Sequence, residues 1–396
     1  MSLDLRAFAP LSPPDRLLMG PGPSMVHPRV YAALAAPTVG HLDPEFLALM
    51  DQIQTLLRHT FRTQNALTFP VSGTGSAGME ACMANVLEPG DRVVVAQNGV
   101  FGGRMADIAG RLGCTVDTLE VSFGEAIDPG RLKDTIAGKP TRLVAVVHAE
   151  TSTGVRQSIP EIVTVAHEVD ALTLVDCVTS LGGIEVDVDG WGVDLAYSGT
   201  QKCLSCPPGL APVTFSPRAV DALKSRKTKV ASWYLDATML LDYWGGKRAY
   251  HHTAPINMLY ALREALLLFC EEGAEAAFAR HLRHHRALAA GLQAMGLSLQ
   301  VPQPHRLPQL NAVRIPDGVD DAAVRRTLLL EYGIEIGGGL GSLAGRVWRV
   351  GLMGHTAQRR NVVSFLGALE SVLAARGAPV ETGAALPAAH AVWESA

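Results

Sequence analysis

The sequence predicts an α/β chain with a mostly parallel, doubly wound sheet in a large domain, followed by a smaller C-terminal α/β domain. Three observations carry this expectation. Short apolar runs alternate with helical patterns from Ala66 to about residue 215, the order that builds parallel β–α–β units. Several of those runs end in small, polar or charged residues, where open α/β sheets bind their ligands. The chain is also long and apolar enough for a large core in two domains, with 396 residues, 48% hydrophobic and 18% charged.

Residues 1–19 form a Pro-rich arm with no helical or strand period, expected to lie over another surface. Gly20-Pro-Gly-Pro-Ser24 makes a rigid turn, and a helix runs from Pro28 to Leu34. Pro44 to Phe61 reads as a longer amphipathic helix, with Phe46, Leu49, Met50, Ile53, Leu56 and Leu57 at helical spacing. The polar loop between them holds His41, which the pattern alone leaves undecided. A strand, Ala66 to Val71, then enters Ser72-Gly-Thr-Gly-Ser-Ala-Gly78 and a helix from Met79 to Leu87. A glycine-rich turn at a helix N-terminus gathers N–H groups and favours a phosphate. Gly73, Gly75 and Gly78 also match G-x-G-x-x-G, which makes a nicotinamide dehydrogenase the rival. That fold wants an acid at the end of the next strand, yet Arg92 to Ala96 ends in Gln97-Asn98, and Asp91 stands at the wrong end.

Phe101 follows, flanked by glycines, as either a ring to stack on a flat cofactor or a core anchor. A helix from Arg104 to Leu112, a strand from Cys114 to Glu120, a helix from Pro129 to Ile136 and a strand from Arg142 to Val147 lead to His148-Ala-Glu-Thr151-Ser-Thr-Gly154. Two further buried-strand patterns organise the chain. Leu172-Thr-Leu-Val-Asp176 ends in a carboxylate, and Leu195-Ala-Tyr-Ser-Gly-Thr-Gln-Lys202 ends in a lysine. An amine at the exit of a buried strand has a lowered pKa and can form a Schiff base with a carbonyl cofactor. An acid and an amine delivered to one sheet edge make a site.

Trp233 to His252 is rich in aromatics and ends in Ala249-Tyr250-His-His-Thr253. With no carboxylate or third ligand at suitable spacing, this is read as a polar surface stretch, and no metal is expected. A helix from Met258 to Glu272 crosses to the second domain, giving a large domain over 20–274, a small one over 275–380 and a tail over 381–396. His281, His284 and His285 are expected on a solvated face. Prolines in 302–308 mark a linker, followed by a strand from Asn311 to Ile315 and a helix from Ala322 to Tyr332. Gly337-Gly-Gly-Leu-Gly341 reads as flexible. Arg349 interrupts the buried pattern Trp348 to Met353, and a substrate carboxylate is its natural partner. The Ala-rich stretch after residue 376 carries no readable signal.

A net charge of −4 with scattered basic residues argues against nucleic acid as a partner; Lys224-Ser-Arg-Lys-Thr-Lys229 is the one basic cluster. No secretory signal or membrane-length apolar run is visible. Six cysteines, several inside apolar runs, suggest reduced thiols and a cytoplasmic protein. Cys203 and Cys206 are expected to pack behind Lys202 rather than bind metal.

Eight of these pieces, in this order, carry a resemblance: Gly20-Pro-Gly-Pro, Ser72-Gly-Thr-Gly-Ser, Gly99-Val-Phe-Gly, His148-Ala-Glu-Thr-Ser-Thr-Gly, Val175-Asp-Cys-Val, Ser198-Gly-Thr-Gln-Lys, Tyr250-His-His-Thr and Arg349-Val-Gly. The chain resembles class V aminotransferases of the PLP-dependent transferase fold type I, and the alanine-glyoxylate and serine-glyoxylate members over nearly its whole length. The resemblance implies pyridoxal 5′-phosphate as cofactor. Lys202 would hold it as a Schiff base and move the proton, and Asp176 would keep the pyridinium nitrogen protonated. Phe101 would stack on the ring, where relatives more often have Trp, with Val178 behind it and Thr151 near the ring hydroxyl. Thr74, Gly75, Ser76 and Gln201 would hold the phosphate, joined by Tyr250 and Thr253 from the second subunit of a homodimer with shared active sites. Arg349 would take the substrate carboxylate, with His41 and Gly22 beside the substrate.

Within the family, the chain also resembles ureidoglycine-glyoxylate aminotransferases of purine catabolism through Gln201-Lys-Cys-Leu-Ser and its C-terminal third. That branch carries Gln in place of His41 and Asn in place of Tyr250, amides that match a ureido group; alanine or serine needs no such partners. The expected reaction is therefore transfer from alanine, or serine, to glyoxylate, with ureidoglycine as the alternative donor. Cysteine desulfurases need a cysteine on a late loop, and the last one here, Cys270, falls in a helix pattern. A PLP-binding regulator would need a DNA-binding domain ahead of a core that begins near residue 17.

Overall fold

The computed structural model describes residues 10–395, so the first part of the expected arm lies outside the described residues. The central sheet has seven strands, in the order Leu67–Ser72, Leu210–Phe215, Leu195–Tyr197, Leu172–Asp176, Leu143–Val147, Arg92–Gln97 and Thr115–Glu120. Leu210–Phe215 runs antiparallel to both neighbours, and the other pairings are parallel. Strands such as Leu143–Val147 and Leu172–Asp176 are buried at every position. Helices cover both faces, which is why these strands read as unbroken apolar runs rather than alternating ones.

Two helices begin earlier than their periodicity suggested. Gly75–Val86 starts inside the glycine run, not at Met79, and Val100–Arg111 starts before Arg104, taking Phe101 into its first turn. Glycines hid both starts, because they carry no hydrophobic period but let a helix approach the sheet closely. A Cβ on Gly78 would lie 3.0 Å from Ala211 Cβ and 3.2 Å from Tyr197 Cβ.

The second layer of structure is built on a three-stranded antiparallel sheet, Leu310–Arg314, Val347–Gly351 and Gly337–Gly338. The glycines expected to be flexible are therefore an edge strand, held by Trp348 and Arg349. The arm is likewise not without structure at its end: Leu17–Leu18 pairs parallel with Ile334–Glu335. A helix over Ala385–Glu394, in the stretch without a readable signal, packs on the helix Ala274–Ala294. Its Trp393 is buried, and the Arg359 guanidinium lies 4.8 Å over the indole. Buried apolar residues fall into two main clusters, one from Val30 to Leu266 and one joining Met19 to residues between Ala287 and Trp393.

The expectation of a solvated histidine face is overturned. His281 and His285, one turn apart, are both buried on the inner face of the helix Ala274–Ala294. His281 Nδ1 donates to Ala277 O at 2.6 Å, and its Nε2 accepts from the Gly354 N–H at 2.9 Å, so burial is compatible with a neutral ring whose pKa falls to about 3. Among the described residues, no helix is long and apolar enough to cross a membrane.

Candidate active site

The parallel register sets Asp176, the last residue of its strand, opposite Tyr197, the last residue of the next. Five residues beyond Tyr197 the chain reaches Lys202, so acid and amine leave the same sheet edge. A cavity of ≈ 220 Å³ opens there, lined by Asp176, Lys202, Val178, Gln201, Phe101 and Thr151 among others. Thr74, Gly75 and Ser76 close one end, where the twelve-residue helix Gly75–Val86 points its N-terminus at the cavity. Thr74 makes no side-chain cap bond, and Gln201 Oε1 is buried without a partner. Free N–H groups and an uncommitted hydroxyl form an anion cradle, with the Gln201 side chain beside it.

Lys202 is 8% exposed, and burial lowers its pKa to about 8. Its Nζ donates to the Pro21 carbonyl. The Gly20–Pro23 turn is held over the lysine by Ser24, whose N–H donates to Gln201 O at 2.8 Å and whose Oγ donates to Lys202 O at 2.7 Å. Gly22 has φ +106°, and a Cβ there would lie 2.7 Å from Nζ. Only glycine suits that backbone and leaves the amine room.

Asp176 is pushed up to about 6 by burial, against the Tyr197 hydroxyl at 2.6 Å and the Val178 N–H at 2.8 Å, which favour its charged form. Tyr197 escaped the sequence reading because it ends a strand of apolar character; only the register reveals that its hydroxyl serves the acid. Tyr197→Phe is expected to raise the Asp176 pKa further, so the acid limb of kcat/KM should move about one pH unit upward. A pH–rate profile checks this, and an unchanged limb would separate Asp176 from the acid-side ionisation.

Glu150 and Arg104 were also missed. Glu150 is fully buried; its Oε2 accepts from the Phe101 N–H at 3.2 Å, and its Oε1 from the Ser152 N–H and hydroxyl at 2.9 and 2.6 Å. Burial raises its pKa, while those donors oppose the rise. The carboxylate thus caps the first turn of the helix that carries Phe101. Arg104, one turn along that helix, lies 4.7 Å over the Phe101 ring and lines the cavity. The signal for both lay in quoted motifs, an acid after a strand and a cation three residues after an aromatic.

Arg349 lies on the strand Val347–Gly351, with Nε donating to Gly338 O at 2.6 Å and Nη1 to Thr151 O at 3.2 Å. It touches the cavity through Thr151 and has no carboxylate partner among the described residues. His41, Tyr250 and Thr253 do not line this chain's cavity. His41 packs on Tyr250 with ring centroids 5.1 Å apart, and Tyr250, 61% exposed, approaches Thr253 Oγ1 at 3.3 Å. The histidines between them are not a polar surface stretch. His251 is buried and stacks on Trp233 at 4.5 Å, and His252 Nε2 bonds the Ser72 hydroxyl at 2.8 Å. Aromatic neighbours shield them, which a tally of polar residues does not register. Among the described residues no group of three His, Cys, Asp or Glu side chains could hold a metal ion.

The cavity fits pyridoxal 5′-phosphate by its donor set: a helix N-terminus for the phosphate, a buried carboxylate for the ring nitrogen and an amine with a lowered pKa. The profile of the family "Aminotransferase class-V" matches residues 26–358. An alanine–glyoxylate aminotransferase of Callithrix jacchus is 42% identical over 92% of this chain and 89% of its own. The (S)-ureidoglycine–glyoxylate transaminase of Bacillus subtilis is also 42% identical, over 98% of this chain and 97% of its own. The crystal structure of an alanine–glyoxylate aminotransferase from Nostoc superposes with a TM-score of 0.92 at 51% identity, covering 94% of this chain and all of that one. The chain belongs to the class V aminotransferases, pyridoxal phosphate enzymes that move amino groups between amino acids and 2-oxo acids.

Proposed function

We propose that the protein transfers the amino group of alanine, or of serine, to glyoxylate, giving pyruvate or hydroxypyruvate and glycine by a ping-pong mechanism. The observation that carries the choice of donor is the His41–Tyr250 pair. Its rings pack on each other at 5.1 Å and present neither of the carboxamides that would hydrogen-bond a ureido group. The 42% identity to the Bacillus subtilis ureidoglycine enzyme over nearly the whole chain favours the second reading, ureidoglycine as donor.

In this reading Lys202 would hold the cofactor through Nζ, and its amine would move the proton at the substrate Cα. Its depressed pKa leaves a useful share of neutral amine near pH 8. Pyridoxal phosphate supplies the electron sink that makes that proton acidic. Asp176, held by Tyr197, would supply a negative charge for the ring nitrogen, and Phe101 and Val178 would flank the ring. Thr74, Gly75, Ser76 and Gln201 would bind the phosphate, Thr151 would serve the ring hydroxyl, and Arg349 would take the substrate carboxylate. Gly22 would keep space at Lys202, and His41, packed on Tyr250 outside this chain's cavity, would face the substrate in a neighbouring subunit's site.

The test is a half-reaction on the purified enzyme, following the absorbance of the lysine-bound cofactor. Alanine should bleach that band and glyoxylate restore it. Bleaching by ureidoglycine alone would assign the protein to purine catabolism instead.

We further infer a homodimer with shared sites. Tyr250 and Thr253 stand exposed outside their own cavity, and Trp233 and Tyr234 leave further aromatic surface in the same segment. Sedimentation should give twice the monomer mass. Tyr250→Phe with Thr253→Val should weaken cofactor affinity about tenfold, the worth of one hydrogen bond to a charged group, while kcat at saturating cofactor changes little. The free state of all six cysteines fits the reducing cytoplasm.

A further inference from the structure

A second concave site, away from the cofactor cavity, carries charge that the reaction does not use. Where the helix Ala274–Ala294 passes the hairpin Ala149–Glu150 and Val155–Arg156, a cavity of ≈ 280 Å³ is lined by Arg156, Arg286 and Arg306, with His285, Gln293 and Gln303 adding polar groups. No acidic residue lines it. Among the described residues, none of these arginines has a carboxylate partner, whereas Arg29, Arg62 and Arg280 are each neutralised by glutamates. Three cations converging without counter-charge stand out in a chain of net charge −4.

The lining groups are anchored from behind. Arg306 lies opposite Val155 in an isolated bridge, and its Nε donates to Val301 O at 2.8 Å, leaving both terminal nitrogens unpartnered. Arg156 is a strand residue paired with Ala149. Asn311 Nδ2 donates to Val350 O, so Asn311 Oδ1 accepts from His285 Nδ1 at 2.7 Å, which leaves Nε2 of a 7% exposed ring without a protein partner. The arginines come from both sides of the structure: Arg156 beside the hairpin that leads into Thr151, and Arg286 from the helix that contributes to the second core.

We propose that this pocket binds a small polyanion, its carboxylate or phosphate oxygens forked by two or three guanidinium groups. Planar guanidinium groups pair bidentately with both kinds of oxygen acid, and the cavity is sized for a metabolite of few atoms. A bound polyanion would tie the hairpin of Arg156 to the helix Ala274–Ala294 and stabilise the folded holoenzyme through its preference for that state.

The experiment is calorimetric titration and thermal unfolding of the cofactor-loaded enzyme with citrate and, separately, pyrophosphate, against sodium chloride at matched ionic strength. Saturable binding with a raised Tm is expected for at least one of them, and which one it is distinguishes a polycarboxylate from a phosphate ligand. Arg286→Gln and Arg306→Gln should each weaken that binding about tenfold. Both variants should retain the parent's kcat without added anion, since neither residue touches the cofactor cavity. Three results would each overturn the proposal. These are no binding beyond the salt control, binding left intact in both variants, and binding accompanied by loss of the cofactor band, which would place the anion in the phosphate cradle.

Discussion

Lys202→Ala is expected to remove turnover by at least about 10³-fold while leaving a folded protein that still takes up cofactor. The size follows from the two tasks that meet at one nitrogen. Nζ shares the cavity wall with the cradle at Gly75 and the acid at Asp176, and burial has brought its pKa down to about 8. Among the described residues Lys202 is the one lysine on the cavity wall, so no second lysine there can substitute. The variant should lack the absorbance of lysine-bound cofactor yet bind it through the phosphate cradle. Added methylamine or ethylamine should restore part of the rate by acting as the missing base. Transamination at the parent's rate in the variant would remove Lys202 from the chemistry.

Asp176→Asn should cost about 10²–10³-fold in kcat, the range for losing one preorganised electrostatic partner in a water-poor site. The amide keeps the shape and can still bond Tyr197, so stability should change little. What disappears is the negative charge that holds a proton on the ring nitrogen. Asp176 is costly to keep charged: burial pushes it up to about 6, and Tyr197 and the Val178 N–H hold the rise at that level. A cation at the ring nitrogen supplies the missing partner and lowers the pKa further, so the carboxylate and the cofactor stabilise each other. Weakened cofactor affinity together with slower proton removal from Cα, read by a deuterium exchange assay, is the expected signature. A variant with normal exchange would show that the carboxylate is not electronically coupled to the reaction.

The sheet was legible because its strands are buried on both faces and end in unlike residues. That Asp176 and Lys202 leave the same sheet edge was legible from those ends. What stayed hidden depended on partners distant in sequence. Tyr197 gains its role from a neighbour across the register, Glu150 from the N–H of Phe101, and His281 from a loop that the chain reaches 73 residues later. Helix starts inside glycine runs were missed because glycine contributes no period, and Gly337–Gly338 looked flexible because an edge strand is made by its neighbour, not by its own side chains. The helix Ala385–Glu394 lacks strong polarity contrast in a run of alanines, and it is fixed by contact with another helix.

The pairing of Leu17–Leu18 with Ile334–Glu335 joins the start of the described chain to one of its last strands. The segment just beyond it, Gly20 to Ser24, roofs Lys202 through bonds across 178 residues. During synthesis, therefore, the strand that anchors this roof has its partner only once Ile334 and Glu335 have been made, however early the main sheet assembles. Shelter of the Lys202 amine is tied to the second sheet region, so a chain that owns every strand of the central sheet can still hold that lysine under an unanchored roof.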